Sequence, residues 1–209
     1  MKTVYFVRHG ESEGNAGNIR LGYKGGLTEL GHKQANELGQ RCKNLPIGFI
    51  VCSSLQRTRE TAKGILKYVS VPIEYSDLFL ERRNPSEFIG LEKNTVEETY
   101  IRRTVWEHFH EPGWRYSDEE NFDDLNVRAG RALEYLIERP EEHVLVVGHG
   151  MFTRVLLARM IFDENLTGVE CSVFTKKFET ENSGISVAEF DQKKLYWRIV
   201  IWNDHAHLG

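Results

Sequence analysis

The chain has 209 residues, of which 40% are hydrophobic and 28% charged, with a formal net charge of -4. That length can bury a full core and falls in the range of one domain, so residues 1–209 are expected to form a single unit. The weak negative charge gives no electrostatic footprint for nucleic acid or an anionic membrane, and no stretch approaches the ~18 apolar residues of a membrane span. Met1-Lys2-Thr3 enters the first apolar run directly and leaves no room for a signal peptide, which makes the cytoplasm the expected location. Cys42, Cys52 and Cys171 are odd in number and widely separated, as free thiols in a reducing compartment are, and none stands out as a nucleophile.

In chain order, Val4-Tyr5-Phe6-Val7 reads as a strand buried on both faces, the pattern of a strand inside a parallel sheet. It ends in Arg8-His9-Gly10, which delivers both side chains to the sheet's carboxyl end, where open α/β folds bind ligands. Residues 10–26 carry six glycines and little periodicity and read as a long loop over that cleft. Thr28 can cap a helix to about Asn44, and Phe49-Ile50-Val51-Cys52 is a second strand. Ser53 and Ser54 are cap candidates for a helix from about Leu55 to Val69, with Arg57 in its first turn. Val71 to Tyr75 is a third strand, which Pro72 places at an edge or a strand start.

Residues 77–94 read as irregular, with charge concentrated from Glu81 to Glu87. Thr95 to His110 reads as a helix with Val96, Tyr100, Val105 and Phe109 near one face, and a polar loop follows. Phe122 to Arg139 is strongly amphipathic and leads into Val144-Leu145-Val146-Val147, a second strand that ends in Gly148-His149-Gly150. Met151 to Phe162 is apolar enough for a buried helix. Strand candidates follow at Val173–Thr175, Ile185–Phe190 and Leu195–Ile201, the last two joined as a hairpin by Asp191-Gln192-Lys193-Lys194. Strands alternating with helices up to Phe162 predict a three-layer α/β/α sandwich with a mostly parallel sheet.

Four strand-end regions thus converge, and they contribute Arg8, His9, Arg57, Glu81 and His149. Arginine forks bind phosphate oxygens bidentately, a neutral imidazole can attack phosphorus in line, and a carboxylic acid can protonate the leaving oxygen. Nothing in that scheme needs a metal. The sequence has neither Gly-x-x-x-x-Gly-Lys-Ser/Thr nor Gly-x-Gly-x-x-Gly, which disfavours nucleotide-dependent transfer and dinucleotide chemistry. The pairs His108/His110 and His205/His207 lack a nearby acidic partner and read as surface histidines rather than metal ligands.

Arg8-His9-Gly10-Glu11-Ser12 with Asn15 resembles the signature of the histidine phosphatase superfamily, which contains cofactor-dependent phosphoglycerate mutases, the fructose-2,6-bisphosphatase domain and many phosphatases. Leu27-Thr28-Glu29-Leu30-Gly31 with Gln34-Ala35, Ser53 to Thr58 with Thr61-Ala62, and Val146 to Gly150 resemble its later motifs in order and spacing, and Asn182-Ser183-Gly184-Ile185 with His207-Leu208 resembles its C-terminal pattern. The resemblance implies a phosphoglycerate mutase-like fold with His9 as the nucleophile that becomes phosphohistidine. It also implies a phosphate pocket of Arg8, Arg57 and His149, with Asn15 contacting the phosphoryl group. Glu81 is the expected acid, with Glu87 in reserve, although Arg82 to Glu87 replaces the family's glycine- and aromatic-rich stretch. The expectation is a phosphatase that acts on phosphomonoesters of small molecules without metal or organic cofactor. Its alternatives are a phosphoglycerate mutase and a catalytically silent phosphate-binding or scaffold protein. Residues from about 84 to 122 are expected to cap the cleft, where Arg82, Arg83, Lys93, Arg102 and Arg103 either hint at a second anionic group on the substrate or, equally well, form a solvated helix face.

Overall fold

The register of the first strand sets the position of everything at the site. In the structure, a computed structural model describing residues 1–209, β1 (Lys2–Arg8) lies in a six-stranded sheet. Its companions are β2 (Phe49–Cys52), β3 (Ile73–Tyr75), β4 (His143–Gly148), β5 (Ile185–Asp191) and β6 (Tyr196–Asp204), in the order β3-β2-β4-β1-β5-β6. The first four strands of that order run parallel, and β5 and β6 are antiparallel additions beyond β1. β3 is an edge strand, as Pro72 predicts.

Alternation along the strands builds two cores, because successive side chains point to opposite faces. Val4 and Phe6 of β1 and Val144 and Val146 of β4 face one apolar cluster, which also takes Leu125, Ala129 and Leu136 of α5 (Phe122–Glu138). The same cluster includes residues of α6 (Gly150–Phe162) and α7 (Gly168–Lys177). Tyr5 and Val7, with Leu145 and Val147, face a second cluster with Leu38 and Cys42 of α2 (Glu29–Cys42) and Ala62 and Ile65 of α3 (Gln56–Ile65). This is the expected three-layer α/β/α sandwich. Each fully buried Leu or Phe contributes about 1.5–3 kcal/mol, so the clusters hold the strand ends in place. No helix is long and apolar enough to cross a membrane.

Several local expectations are corrected. Val173–Thr175 lies in α7, not in a strand: Thr167 and Glu170 form a reciprocal capping box, and Cys171, Phe174 and Thr175 are buried at helical spacing. In α4 (Val96–His108), capped by Thr95, the buried positions are Glu98, Ile101 and Val105, whereas Val96 and Tyr100 are exposed. α3 ends at Ile65, and neither Ser53 nor Ser54 caps it through its side chain; Leu55 is the N-cap residue. Thr28 caps α2 as expected, its hydroxyl accepting from Gly31 N–H. Within the loop after β1 lies a short helix, α1 (Glu13–Ala16).

Candidate active site

Parallel pairing sets Arg8 opposite Gly148 and Cys52 opposite Val147, so the next residues emerge side by side at the carboxyl edge of β1, β4 and β2. His9 and His149 are therefore neighbours, their rings edge to face with centroids 5.2 Å apart. Ser53 follows β2, and its backbone N–H donates to Val147 O at 2.9 Å. Arg57, the second residue of α3, is 6% exposed and reaches back so that its Nε lies 3.2 Å from His9 Nε2.

The tautomer of His9 follows from its contacts. Its Nδ1 lies 2.7 Å from Gly10 O, an acceptor only, so Nδ1 carries the proton and Nε2 keeps its lone pair beside Arg57. Burial, then His149, Arg57 and Arg8, hold the His9 pKa well below the ordinary imidazole value and keep the ring neutral. Burial and the nearby arginines do the same to His149. His149 Nε2 contacts Ser53 Oγ at 2.8 Å, and its buried Nδ1 has no partner in the protein. Arg8 Nε is likewise buried without a partner, while its Nη1 donates to Thr180 O. An ideal Cβ on Gly150 would lie 3.3 Å from Arg8 Nε, so the absence of a side chain there makes room for the guanidinium.

These groups border a cavity of about 440 Å³ whose lining includes Arg8, His9, Asn15, Arg57 and Glu81. His149 is fully buried and does not itself line the cavity, though its ring meets that of His9. Asn15 Oδ1 accepts from the backbone N–H and hydroxyl of Ser12 and from Asn182 Nδ2, which leaves its own NH2 to face a ligand. Glu81 reaches the cavity from the loop after β3, its carboxylate accepting from Met151 and Phe152 N–H at the start of α6 and from Arg82 N–H. Glu87 does not line the cavity: it is exposed and accepts from the Ser117 hydroxyl at 2.7 Å.

The basic residues of the 82–103 segment are spread over the structure, and none of the five lines this cavity. Arg82 packs over the rings of Trp106 and Phe109, Arg102 and Arg103 pair with Glu98 and Glu107, and Lys93 donates to the carbonyls of Gly14, Asn15 and Gly17. Arg83 lines a different cleft with Asp123 and Asp124. Sequence reasoning missed Arg20, Lys24, Arg154, Glu179 and Glu181, all of which border the cavity. For Arg154 a signal existed: it is an arginine in a nearly continuous apolar helix, four residues after Gly150 and hence on the same face. Burial pushes the thiols of Cys42, Cys52 and Cys171 up to about 12, so all three are protonated at neutral pH.

A neutral imidazole with its lone pair beside a guanidinium, backed by a second imidazole, is an arrangement for taking up a phosphoryl group. The chain belongs to the histidine phosphatase superfamily, whose branch 1 model matches residues 4–205. It is 36% identical over 170 residues to a probable phosphoglycerate mutase, GpmB, of Photorhabdus laumondii, covering 77% of this chain and 75% of that one. It is 29% identical over 211 residues to PhoE of Bacillus subtilis, an uncharacterized phosphatase, covering 100% and 98% of the two chains. Among solved structures, YhfR of Bacillus stearothermophilus superposes with a TM-score of 0.83 at 23% identity and full coverage of both chains, a likeness of fold. The protein is an enzyme of phosphatase or mutase chemistry acting on a phosphorylated small molecule.

Proposed function

We propose that this enzyme hydrolyses phosphomonoesters through a phosphohistidine on His9, with no metal or organic cofactor. The observation that carries the reading is the Nδ1–H bond of His9 to Gly10 O, which leaves Nε2 unprotonated at the cavity wall. Nε2 attacks phosphorus as the bond to the leaving oxygen breaks. Glu81 gives that oxygen its proton. Arg8, Arg57, Asn15 and His149 Nδ1–H stabilise the equatorial oxygens, the role a metal plays elsewhere. A water then attacks phosphorus and gives its proton to Glu81 as the P–N bond breaks, which releases phosphate and restores both residues. In this reading the cationic surroundings come from Arg8 and Arg57, which line the cavity. The segment from 84 to 122 caps this cleft and selects the leaving group.

The relative named as a probable phosphoglycerate mutase supports a second reading, in which the phosphoryl group passes from His9 to another hydroxyl instead of water. A silent scaffold has no chemical need for the five convergent groups. The test is incubation with a labelled phosphomonoester followed by an alkaline quench, which preserves phosphohistidine. Label on His9, its absence in His9→Gln and release of inorganic phosphate are the expected results. Label on serine or cysteine overturns the mechanism, and transfer to a phosphoglycerate acceptor without phosphate release selects the mutase.

A further inference from the structure

The peptide that joins His9 to Gly10 is held at both of its polar atoms by side chains distant in sequence. Its N–H donates to Thr61 Oγ1 of α3 at 3.1 Å, and its carbonyl, His9 O, accepts from Asn182 Nδ2 at 2.8 Å. The next peptide is pinned in the same way. Glu11 N–H donates to Gln34 Oε1 of α2 at 2.7 Å, and the carbonyl on its other side is Gly10 O, the acceptor of the His9 Nδ1 proton. Two successive peptide planes therefore decide where the His9 ring stands and which of its nitrogens is free.

Asn182 lies in the turn before β5, next to Ser183, which is fully buried and in the left-handed region at φ 61°. A residue other than glycine persists there only where its surroundings hold it, and here they do so through the nucleophile's own backbone. Ser183 N–H donates to Arg8 O at 2.9 Å and more weakly to His9 O at 3.4 Å. This turn aims the Asn182 amide, whose NH2 has two N–H groups and two acceptors. One is His9 O; the other is Asn15 Oδ1 at 3.3 Å, which also accepts from Ser12 N–H and hydroxyl. Three donors on one atom make it the oxygen of the Asn15 amide, so the Asn15 NH2 is the end left for a ligand. Asn182 itself does not line the cavity.

We propose that Asn182 is a positioning residue for phosphoryl transfer: its NH2 group ties the His9–Gly10 peptide to the Asn15 amide, so that nucleophile and phosphate-binding amide keep one mutual placement. This rests on the phosphohistidine reading above. Asn182 acts only through those two residues.

The test uses the full-length enzyme with phenyl phosphate and compares kcat, KM and vanadate inhibition for wild type, Asn182→Ala, Asn182→Asp, Asn15→Ala and the double variant Asn15→Ala, Asn182→Ala, with folding checked by thermal unfolding. Asn182→Ala is expected to lower kcat by roughly 10- to 10²-fold, the cost of a misplaced nucleophile, with a smaller change in KM. Asn182→Asp keeps the shape of the side chain but turns an acceptor toward two acceptors. At neutral pH it should fall below Asn182→Ala by about tenfold, and it should recover as the pH is lowered and its carboxyl group gains a proton to donate. A packing or turn-forming role predicts the reverse order, because the isosteric variant then does less harm. Asn182→Ala should also weaken vanadate inhibition, by a smaller factor once Asn15 is alanine. The proposal is overturned if Asn182→Asp matches or exceeds Asn182→Ala at neutral pH, if Asn182→Ala leaves kcat unaltered, or if it weakens vanadate inhibition by one factor in both backgrounds. Failure of both single variants at Asn182 to fold assigns the residue to the turn and overturns it as well. Neither turnover nor vanadate inhibition in folded wild type removes the phosphomonoesterase reading itself, and the role of Asn182 with it.

Discussion

Ser53 Oγ lies 2.8 Å from Nε2 of His149, and both residues are fully buried. A hydroxyl that donates to Nε2 places the imidazole proton on Nδ1, the ring nitrogen without a partner in the protein, and so prepares a donor for an incoming oxyanion. Ser53→Ala removes that control and leaves Nε2 unsatisfied. The expected results are a stability loss of about 1–3 kcal/mol in denaturant unfolding and a weakening of vanadate inhibition by about tenfold. An unchanged vanadate constant in a destabilised variant would assign Ser53 a packing role alone.

The two histidines also fix a pH dependence. In the unfolded chain both imidazoles take up protons near their ordinary pKa of 6.5, whereas burial and neighbouring cations hold the folded values well below it. Below pH 6.5 the unfolded state therefore binds more protons than the native state, and stability falls with pH by up to ~1.4 kcal/mol per unit for each histidine. Their full contribution is present above pH 6.5 and is lost as pH drops toward the folded values. Unfolding midpoints from pH 7.5 to 5 should fall less steeply for a His9→Asn, His149→Asn double variant than for wild type. The same shift keeps the nucleophile unprotonated, so any acid limb of kcat/KM due to His9 should lie well below pH 6.5.

Two glycine-to-alanine changes in helices should act with opposite sign. An ideal Cβ on Gly31 of α2 would sit 1.9 Å from Glu11 O, in the backbone that follows His9 and Gly10. Gly31→Ala must push that segment away, at about 1–3 kcal/mol, and should reduce kcat by roughly 10²-fold by misplacing the nucleophile. Gly130 of α5 has only Arg159 Nη2 near its ideal Cβ, at 3.9 Å. Gly130→Ala should therefore stabilise by about 0.5–1 kcal/mol through helix propensity, with activity unaltered. Thermal unfolding and turnover of the two variants decide the point.

These contrasts also show which features were legible in sequence. Val4–Val7 and Val144–Val147 carry strand and layer information because each residue is buried on one face or the other, and their shared polarity brings His9 and His149 together. The pairing of Ser53 with His149 is not readable, since Ser53 looks like a helix cap until β2 and β4 are in register. Val173–Thr175 misleads because β-branched and aromatic residues in a short run outweigh a capping box that starts six residues earlier. The basic segment is ambiguous in sequence because counting cations ignores their partners: Arg102 and Arg103 meet Glu98 and Glu107 one helical turn away.

Glu81 carries the last prediction. Its two oxygens accept from Met151 N–H at 3.1 Å and Phe152 N–H at 2.9 Å, which holds the carboxyl group against the start of α6 at the cavity wall. Glu81→Gln keeps the size of the side chain but replaces one acceptor with an NH2 that confronts a backbone N–H, so some loss of order at the site accompanies the loss of the proton. Leaving-group dependence separates the two effects. An alkoxide leaves badly without a proton, so phosphorylation of His9 by an alkyl phosphate should slow by roughly 10²–10⁴-fold, whereas an aryl phosphate with an acidic phenol should lose much less. Mere disorder would slow both equally. Glu87→Gln, altered at an exposed carboxylate bonded to Ser117, is the control and should behave as wild type on both. Single-turnover measurement with the two substrate types isolates phosphorylation from the later attack of water. Equal losses for Glu81→Gln, with the leaving-group dependence appearing instead in Glu87→Gln, would transfer the acid to Glu87 and require the 84–122 segment to move during turnover.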